Sequence, residues 1–189
     1  MYAQILKNSF DRYFKVSLQT WTEFAKLCTT VTFEKEEVIK KANSTERNFY
    51  FILKGSAGIL IWGKNNSVCL DISLENNFFC DYMSLLTRQA SPLETISFEK
   101  SEMLSMPRKN FFELSNRPLA QKIFRIAAEA SFIDKQKQQI ELLTKTAQER
   151  YQILIEKFPE VIKRIPQKFV ASYLGITPQS LSRLRKNVK

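Results

Sequence analysis

The chain has 189 residues, 44% of them hydrophobic and 15 of them Phe, so it can form one or two domains with a substantial core. It contains no His, which excludes His-based catalytic triads and His ligands for zinc or haem. The net charge is +10, and residues 145–189 alone carry ten basic and three acidic side chains.

The predicted elements begin with a helix over about residues 1–27, where apolar residues recur at helical spacing. From Thr29 the period changes to two. Tight turns containing Gly55 and Gly63 then separate short strands. The strands are predicted at residues 49–53, 57–62, 68–74, 94–98 and 103–106. This pattern predicts an α+β protein whose residues 1–116 form an antiparallel β-barrel of the jelly-roll type.

A long helix follows over residues 117–144, without Gly or Pro from Leu119 to Leu143. Apolar residues recur on it every seven positions, which is typical of a seam between two helices. A stripe that packs inside the same chain would give the same pattern. We favour a dimerisation helix, because it separates two segments of different composition. The predicted interface consists of Leu119, Ile123, Ile126, Ala130, Ile133 and Ile140.

The third segment, residues 145–189, ends in two short helices around Gly175. Gly175 permits a left-handed turn, Thr177 can cap the second helix, and Pro178 suits its first position. Apolar residues at the facing positions complete the pattern of a helix-turn-helix, in which the second helix enters the DNA major groove. A purely structural helical pair is the alternative, which the local positive charge disfavours.

The outward side chains of the second helix are those that can read DNA. Gln pairs with adenine and Arg with guanine through two hydrogen bonds each, whereas basic residues at the helix end suit phosphates. The predicted contacts to double-stranded DNA are Thr177, Gln179, Ser180, Ser182, Arg183, Arg185, Lys186 and Lys189.

The order of these segments resembles the Crp/Fnr family of bacterial transcription regulators over nearly the full length. The resemblance is specific in "VASYLGITPQSLSRLRK" and "FYFILKGSAGIL". It implies a cyclic-nucleotide-binding-like jelly roll, a homodimer that binds DNA, and RNA polymerase as a further partner. The family commonly reads bases with an Arg-Glu pair and a later Arg. Here Pro178 and Gln179 replace the pair and only Arg183 is retained, so we expect a different target sequence. We also expect the C-terminal strands of the family's winged helix to be absent.

The resemblance also implies where an effector would bind in the jelly roll. The family's Gly-Glu pair becomes Cys80-Asp81, and its phosphate-binding Arg pair falls near Pro92 and Leu93. Arg88 is the nearest cation, but it lies out of register. A buried phosphate without a paired cation is costly. We therefore expect an unknown small-molecule effector, or none, rather than cyclic AMP. Asp81, Arg88 and Cys80 are the candidate pocket residues.

Other functions are less well supported. The cysteines Cys28, Cys69 and Cys80 have neither disulfide nor metal-ligand spacing, so we expect buried free thiols, no metal and no cofactor. No catalytic constellation is present, which argues against an enzyme. No segment resembles a signal peptide or a membrane span, so we expect a cytoplasmic protein without a membrane partner. The main alternative is a cyclic-nucleotide-binding signalling module whose helical tail binds protein rather than DNA.

Overall fold

The computed structural model describes residues 1–64 and 66–187. Its strands are β1 Thr29–Phe33, β2 Val38–Lys40, β3 Asn48–Lys54, β4 Ala57–Trp62, β5 Ser67–Ser73, β6 Phe78–Phe79, β7 Leu93–Ser97 and β8 Ser101–Pro107. They pair in two four-stranded antiparallel sheets, ordered β1-β8-β3-β6 and β2-β7-β4-β5. The predicted combination of antiparallel sheets and helices is confirmed.

The two sheets do not close into a barrel, so the prediction of a barrel is wrong. Among the described strands, no hydrogen-bonded pairing joins one sheet to the other. One edge of each sheet is short, since β6 has two residues and β2 has three. The pairing of β2 is also shifted between Val38 and Lys40. Such edges cannot supply the continuous hydrogen bonding that closure requires, so the strands form two separate sheets.

The described helices are α1 Tyr2–Phe10, α2 Leu18–Lys26, α3 Tyr82–Thr87, α4 Arg108–Ser115, α5 Pro118–Thr144, α6 Ala147–Lys157, α7 Pro159–Arg164, α8 Gln167–Tyr173 and α9 Pro178–Asn187. The single N-terminal helix predicted from the sequence is instead two. The hydroxyl of Ser17 accepts a hydrogen bond from the Thr20 N–H at 3.2 Å and starts α2. No helix in residues 1–64 and 66–187 is long and apolar enough to cross a membrane.

An aromatic core joins the first sheet to the helices around it. The ring centroid of Phe49 in β3 lies 5.0 Å from that of Phe78 and 5.0 Å from that of Phe111 in α4. Phe111 in turn lies 4.6 Å from Phe124 of α5. Trp21 of α2 is fully buried in the same core. Because aromatic side chains bury large apolar areas, these contacts hold the first turns of α5 against the sheet.

A second core joins the other sheet to the C-terminal helices. Side chains alternate along β4, so that Ile59 faces the first core and Leu60 the second. Phe98, which follows β7, is buried with its ring centroid 4.7 Å from that of Phe169 in α8. A Cβ atom at Gly58 would overlap the Phe98 ring, so this glycine provides the space for the contact. Helices α6–α9 therefore pack directly on a β-sheet.

Candidate nucleic-acid interface and effector cavity

The turn between α8 and α9 has the geometry of a helix-ending motif that needs glycine. Gly175 has φ +66°, a left-handed conformation that residues with a Cβ disfavour. Its N–H donates to the Ser172 carbonyl at 2.9 Å, and the Ile176 N–H donates to the Ala171 carbonyl at 2.9 Å. This pair of hydrogen bonds is the Schellman pattern. It ends α8 sharply and directs the chain into the next helix.

Helix α9 begins at once after this turn. The Thr177 hydroxyl accepts a hydrogen bond from the Ser180 N–H at 3.1 Å, which satisfies one of the free donors at the start of α9. Leu181 and Ala171 are buried between α8 and α9. From α6, the Arg150 Nε donates to the Leu174 carbonyl at 3.0 Å and supports the turn. Thr177 therefore acts as the cap that the sequence predicted, and its predicted contact with DNA stays a prediction.

The outward face of α9 is polar and basic. Gln179, Ser182, Arg183 and the pair Arg185-Lys186 are exposed, and Ser180 is half-buried. Among the described residues, no carboxylate lies within 4.0 Å of the Arg183, Arg185 or Lys186 charge. This leaves a charged surface without internal partners. Lys189 lies outside the described residues.

The predicted seam on α5 divides into a buried part and an exposed part. Ile123 is only 3% exposed, inside the aromatic core of its own chain, so it leaves no surface for a partner. Ile126 and Ala130 are half-buried. Ile133 and Ile140 are 51% and 57% exposed, and the outer ridge also includes exposed apolar residues: Leu119, Phe132 and Leu143. An apolar ridge of this kind is commonly covered by another surface.

Charged contacts hold the C-terminal helices to the second sheet. Arg164 of α7 donates through Nη1 to Glu75 Oε2 at 3.0 Å and through Nη2 to Glu99 Oε1 at 2.7 Å. On α8, Lys168 lies 2.8 Å from a carboxylate oxygen of Glu36. Arg164 and its two carboxylates, called here the Arg164 bridge, are half-buried, so water screens them less than it screens an exposed pair.

The Arg164 bridge shifts the pKa of Glu75 and of Arg164. Burial, the largest influence, acts to raise the pKa of Glu75, but hydrogen bonds from Arg164 and the Gly55 N–H outweigh it, and the pKa is lowered. The pKa of Arg164 is raised, first by its hydrogen bonds to Glu75. Both groups are therefore charged at neutral pH.

Asp81, one of the predicted effector contacts, is already fully engaged. It is 1% exposed, and one carboxylate oxygen lies 3.0 Å from the Lys40 Nζ. Its other oxygen accepts from the Ser84 N–H at 3.1 Å and caps α3, while the Ser91 hydroxyl also donates to the carboxylate. A ribose hydroxyl would have to displace one of these partners. Lys40 was not predicted from the sequence as the partner of Asp81. It is a buried residue of β2, and other lysines near it in the sequence did not distinguish it.

Arg88 lies apart from Asp81. It ends α3 with φ +61°, and its guanidinium carbon is 4.6 Å above the centroid of the Phe112 ring in α4. Cys80 is buried, and burial raises its pKa well above the usual value. The structure therefore does not bring Cys80, Asp81 and Arg88 together around one ligand.

A cavity of about 1180 Å³ lies between the sheets, α5 and the C-terminal helices. Its apolar lining includes Ile72, Phe78 and Phe124. The lysines that line it each have a carboxylate partner: Lys135 with Asp71 at 2.8 Å, Lys137 with Asp134 at 3.8 Å and Lys157 with Glu141 at 3.3 Å. The cavity is large enough for a small molecule, and its character is more apolar than cationic.

The other two cysteines are also poor candidates for chemistry. Burial raises the pKa of both Cys28 and Cys69 to about 12, so that the reactive thiolate is scarce at neutral pH. Cys69 is buried as expected, whereas Cys28 is only half-buried. Among the described residues, no group of three or more His, Cys, Asp or Glu side chains could hold a metal ion.

Comparisons with known proteins agree with this geometry. Residues 30–117 match the family described as Cyclic nucleotide-binding domain. No curated protein sequence matches the chain. Among solved structures, FixK2 from Bradyrhizobium japonicum has a TM-score of 0.70 at 16% identity, covering 85% of this chain and 84% of FixK2.

Two other structures extend the comparison. The c-di-GMP responsive global regulator CLP of Xanthomonas campestris has a TM-score of 0.69 at 12% identity, covering 91% of each chain. The Catabolite Activator Protein of Thermus thermophilus has a TM-score of 0.59 at 14% identity, covering 93% of this chain and 85% of the other. Residues 30–117 are therefore similar to the cyclic nucleotide-binding domain family, and over most of its length the chain has the fold of Crp/Fnr-family regulators. The resemblance predicted from the sequence is confirmed.

The Arg164 bridge generates a pH-dependent prediction. Because the pKa of Glu75 is lowered in the folded protein, its contribution to stability is complete above its unfolded pKa of about 4.3 and is lost as the pH falls through the folded value. We expect Glu75→Gln to lower the unfolding free energy at neutral pH, and this difference from the unmodified protein to shrink below about pH 4. Urea denaturation at several pH values measures it.

Glu113→Gln is the control, because Glu113 is exposed and its ion pair with Lys109 is long, at 3.9 Å. It should change the unfolding free energy little at any pH. A Glu75→Gln effect that stayed constant from neutral to strongly acidic pH would contradict the assignment of charge to Glu75.

Proposed function

We propose that this protein is a sequence-specific DNA-binding transcription regulator that acts as a homodimer. The observation that carries the proposal is the outward face of α9, whose free basic and amide groups stand on a helix fixed by the Gly175 turn. A helical pair of this shape can place its second helix in the major groove. The Crp/Fnr fold supports the same role.

In this proposal the residues of α9 divide into two groups. Gln179 and Arg183 are four positions apart, so they lie one turn from each other on the same face, near the start and middle of α9. They are the base-reading residues, with Arg183 on guanine and Gln179 on adenine. Arg185 and Lys186 lie in the last turn and neutralise phosphates. Ser180 and Ser182 supply shorter contacts, while Thr177 acts mainly as the cap.

The free charge on α9 also favours DNA over a protein partner. A surface with several unpaired cations attracts a polyanion, and such binding falls steeply with added salt. A protein-binding tail would be expected to present apolar anchors instead. The exposed face of α9 contains no apolar residue from Gln179 to Lys186, because Leu181 is buried and Leu184 is half-buried.

The exposed apolar ridge of α5 supports the proposed dimerisation. Ile133 and Ile140 are one heptad apart, and a two-fold axis along this ridge would place each against its copy. Ile133 and Ile140 lie beyond the buried residues of α5, so the same helix packs in its own chain near its start and presents exposed apolar side chains further along. Two copies of α9 would then address two half-sites about 34 Å apart, one turn of DNA.

The base-reading role of Arg183 predicts a specific loss. Arg183→Ala should cost about 1–3 kcal/mol on a target selected from random duplexes, and it should relax preference at one base pair. Lys186→Ala is the matched control. It should weaken binding to selected and random DNA alike and reduce the salt slope by about one. The ratio of the two affinities for each variant is the measurement. Equal losses on both DNAs for Arg183→Ala would reduce Arg183 to a phosphate contact.

The dimer proposal predicts dissociation by charge. Replacing Ile133 and Ile140 together with Glu puts like charges against each other in an apolar seam, so we expect a monomer in sedimentation at micromolar concentration. The control places the same two charges at exposed Ser131 and Gln139 of α5 and should remain dimeric. If the unmodified protein already sediments as a monomer, the proposal is wrong.

Cyclic AMP is not the effector in this proposal. Asp81 is engaged by Lys40 and Ser91, and the lysines that line the large cavity are paired with carboxylates. Two arginines also line this cavity, but Arg12 lies over the Tyr13 ring and Arg150 donates to the Leu174 and Lys145 carbonyls. The cyclic phosphate would therefore enter a largely apolar space that lacks the paired cation of the family's site, which is costly. We expect no heat of binding in a calorimetric titration with cyclic AMP at physiological concentrations. A low-micromolar Kd would contradict this expectation.

A further inference from the structure

A second pocket, of about 550 Å³, lies beside α4 and shares no lining residue with the large cavity. Its cations come from three separate parts of the chain: Arg47 before β3, Arg88 at the end of α3, and Arg108 and Lys109 at the start of α4. Phe112 forms an aromatic wall. We call this site the cationic pocket.

Two cations of this pocket, Arg88 and Arg108, are positioned by contacts that leave their charges free, and a backbone hydrogen bond ties Arg47 to Arg108. The Arg108 N–H donates to the Arg47 carbonyl at 2.8 Å, and Arg108 Nη1 donates to the Glu46 carbonyl at 3.2 Å. Arg88 is stacked over Phe112. In residues 1–64 and 66–187, no carboxylate lies within 4.0 Å of the Arg47, Arg88 or Arg108 guanidinium.

The backbone of Arg88 adds a second observation. Its φ of +61° is a conformation that glycine or asparagine adopts more readily than a residue with a long side chain. An arginine at this position brings its guanidinium over Phe112 and toward Arg47 and Arg108 in the same pocket. The strained backbone of Arg88 thus occurs where four cationic side chains line one pocket. Strained positions are often found at binding sites.

The chemistry of the pocket favours a compact anion with several charges. Four cations face one carboxylate, Glu113, which lies 3.9 Å from Lys109, so like charges repel unless an anion is present. A guanidinium presents paired donors that match two phosphate oxygens, and the contact with the Phe112 ring restricts where the Arg88 guanidinium lies. A concave site of this size suits a small molecule better than a flat protein surface.

We propose that the cationic pocket binds a compact polyphosphate, either as the phosphate chain of a nucleotide or as inorganic polyphosphate. Arg88 and Arg47 are the principal phosphate ligands, and Lys109 and Arg108 add positive potential. This site is separate from the surface of α9 and does not depend on the DNA-binding role of that helix.

The test is calorimetric titration of the full chain with inorganic tripolyphosphate and, separately, with a nucleoside triphosphate. We expect one bound ligand whose affinity falls about tenfold or more in Arg88→Gln and in Arg47→Gln, because each removes a charge-assisted pair of hydrogen bonds. Arg88→Lys keeps the charge but loses the planar fork, so it should fall between. Tighter binding of the nucleotide would assign the nucleotide as the source, and equal affinity would assign the bare phosphate chain.

Three controls make the result specific. Arg125→Gln removes an exposed arginine of α5 and should change the affinity less than twofold. Arg183→Ala should leave tripolyphosphate binding intact, which separates the pocket from the α9 surface. Citrate, a carboxylate anion of comparable charge, should bind at least tenfold more weakly. The proposal is overturned if tripolyphosphate does not bind, if binding survives both Arg88→Gln and Arg47→Gln, if Arg183→Ala abolishes it, or if citrate binds equally well.

Discussion

The packing of Phe98 between Gly58 and Phe169 joins the second sheet to the C-terminal helices. Phe98 has no exposed surface, and its ring meets Phe169 of α8 at a centroid distance of 4.7 Å. The absence of a side chain at Gly58 leaves space for the Cζ end of the Phe98 ring against β4, so that α8 can approach the sheet. In β5, the Cys69 N–H donates to the Ser172 hydroxyl of α8 at 2.9 Å. The position of α9, and with it the orientation of the proposed DNA-reading face, depends on this contact.

The predicted effector contact Asp81 takes part in a buried hydrogen-bond network that includes Glu46. Glu46 and Asp81 are both buried, and Glu46 accepts hydrogen bonds from the N–H groups of Arg47, Asn48 and Asp81. Burial, the largest influence, raises the pKa of Glu46 although these donors oppose it. Such groups are stable only when each polar atom has a partner. Lys40 supplies the cation for Asp81 from within the chain, and a ligand that bound the Asp81 carboxylate would have to displace one of its present partners.

The sequence predicted the parts of the fold where local patterns are strong. The alternation from Phe49 to Trp62 located β3 and β4 almost to the residue, and the run from Gly175 to Pro178 located the last turn. The resemblance to Crp/Fnr regulators was also confirmed. The prediction of a closed barrel failed because closure depends on edge pairing between distant strands, which periodicity does not contain. The N-terminal helix was divided by a cap at Ser17 that was not recognised.

Side-chain surroundings were the harder part of the prediction. Ile123 shares the periodicity of Ile133, yet it is buried in its own chain, since spacing along a helix does not tell which part of its length is covered. Arg88 was grouped with Asp81 because the two residues are close in sequence. However, Asp81 caps the start of α3, whereas Arg88 follows its end and lies over Phe112 of α4. The roles of the α9 residues, the proposed dimer seam and the division into domains remain predictions.

The uneven burial of α5 has a consequence for the local stability of this helix. The three buried residues of this helix, Ala120, Ile123 and Phe124, all lie in its first two turns, although the helix continues to Thr144. At 1.5 Å per residue, the remaining 20 residues extend about 30 Å beyond that anchor. Local opening costs least where few apolar contacts must be broken. The amide protons of the distal turns should therefore exchange with solvent much sooner than those near Ile123 while the chain is alone, and association would slow that exchange by ordering the same backbone. If two chains pair along α5 as proposed, the folding of the far half of this helix would be linked to protein concentration.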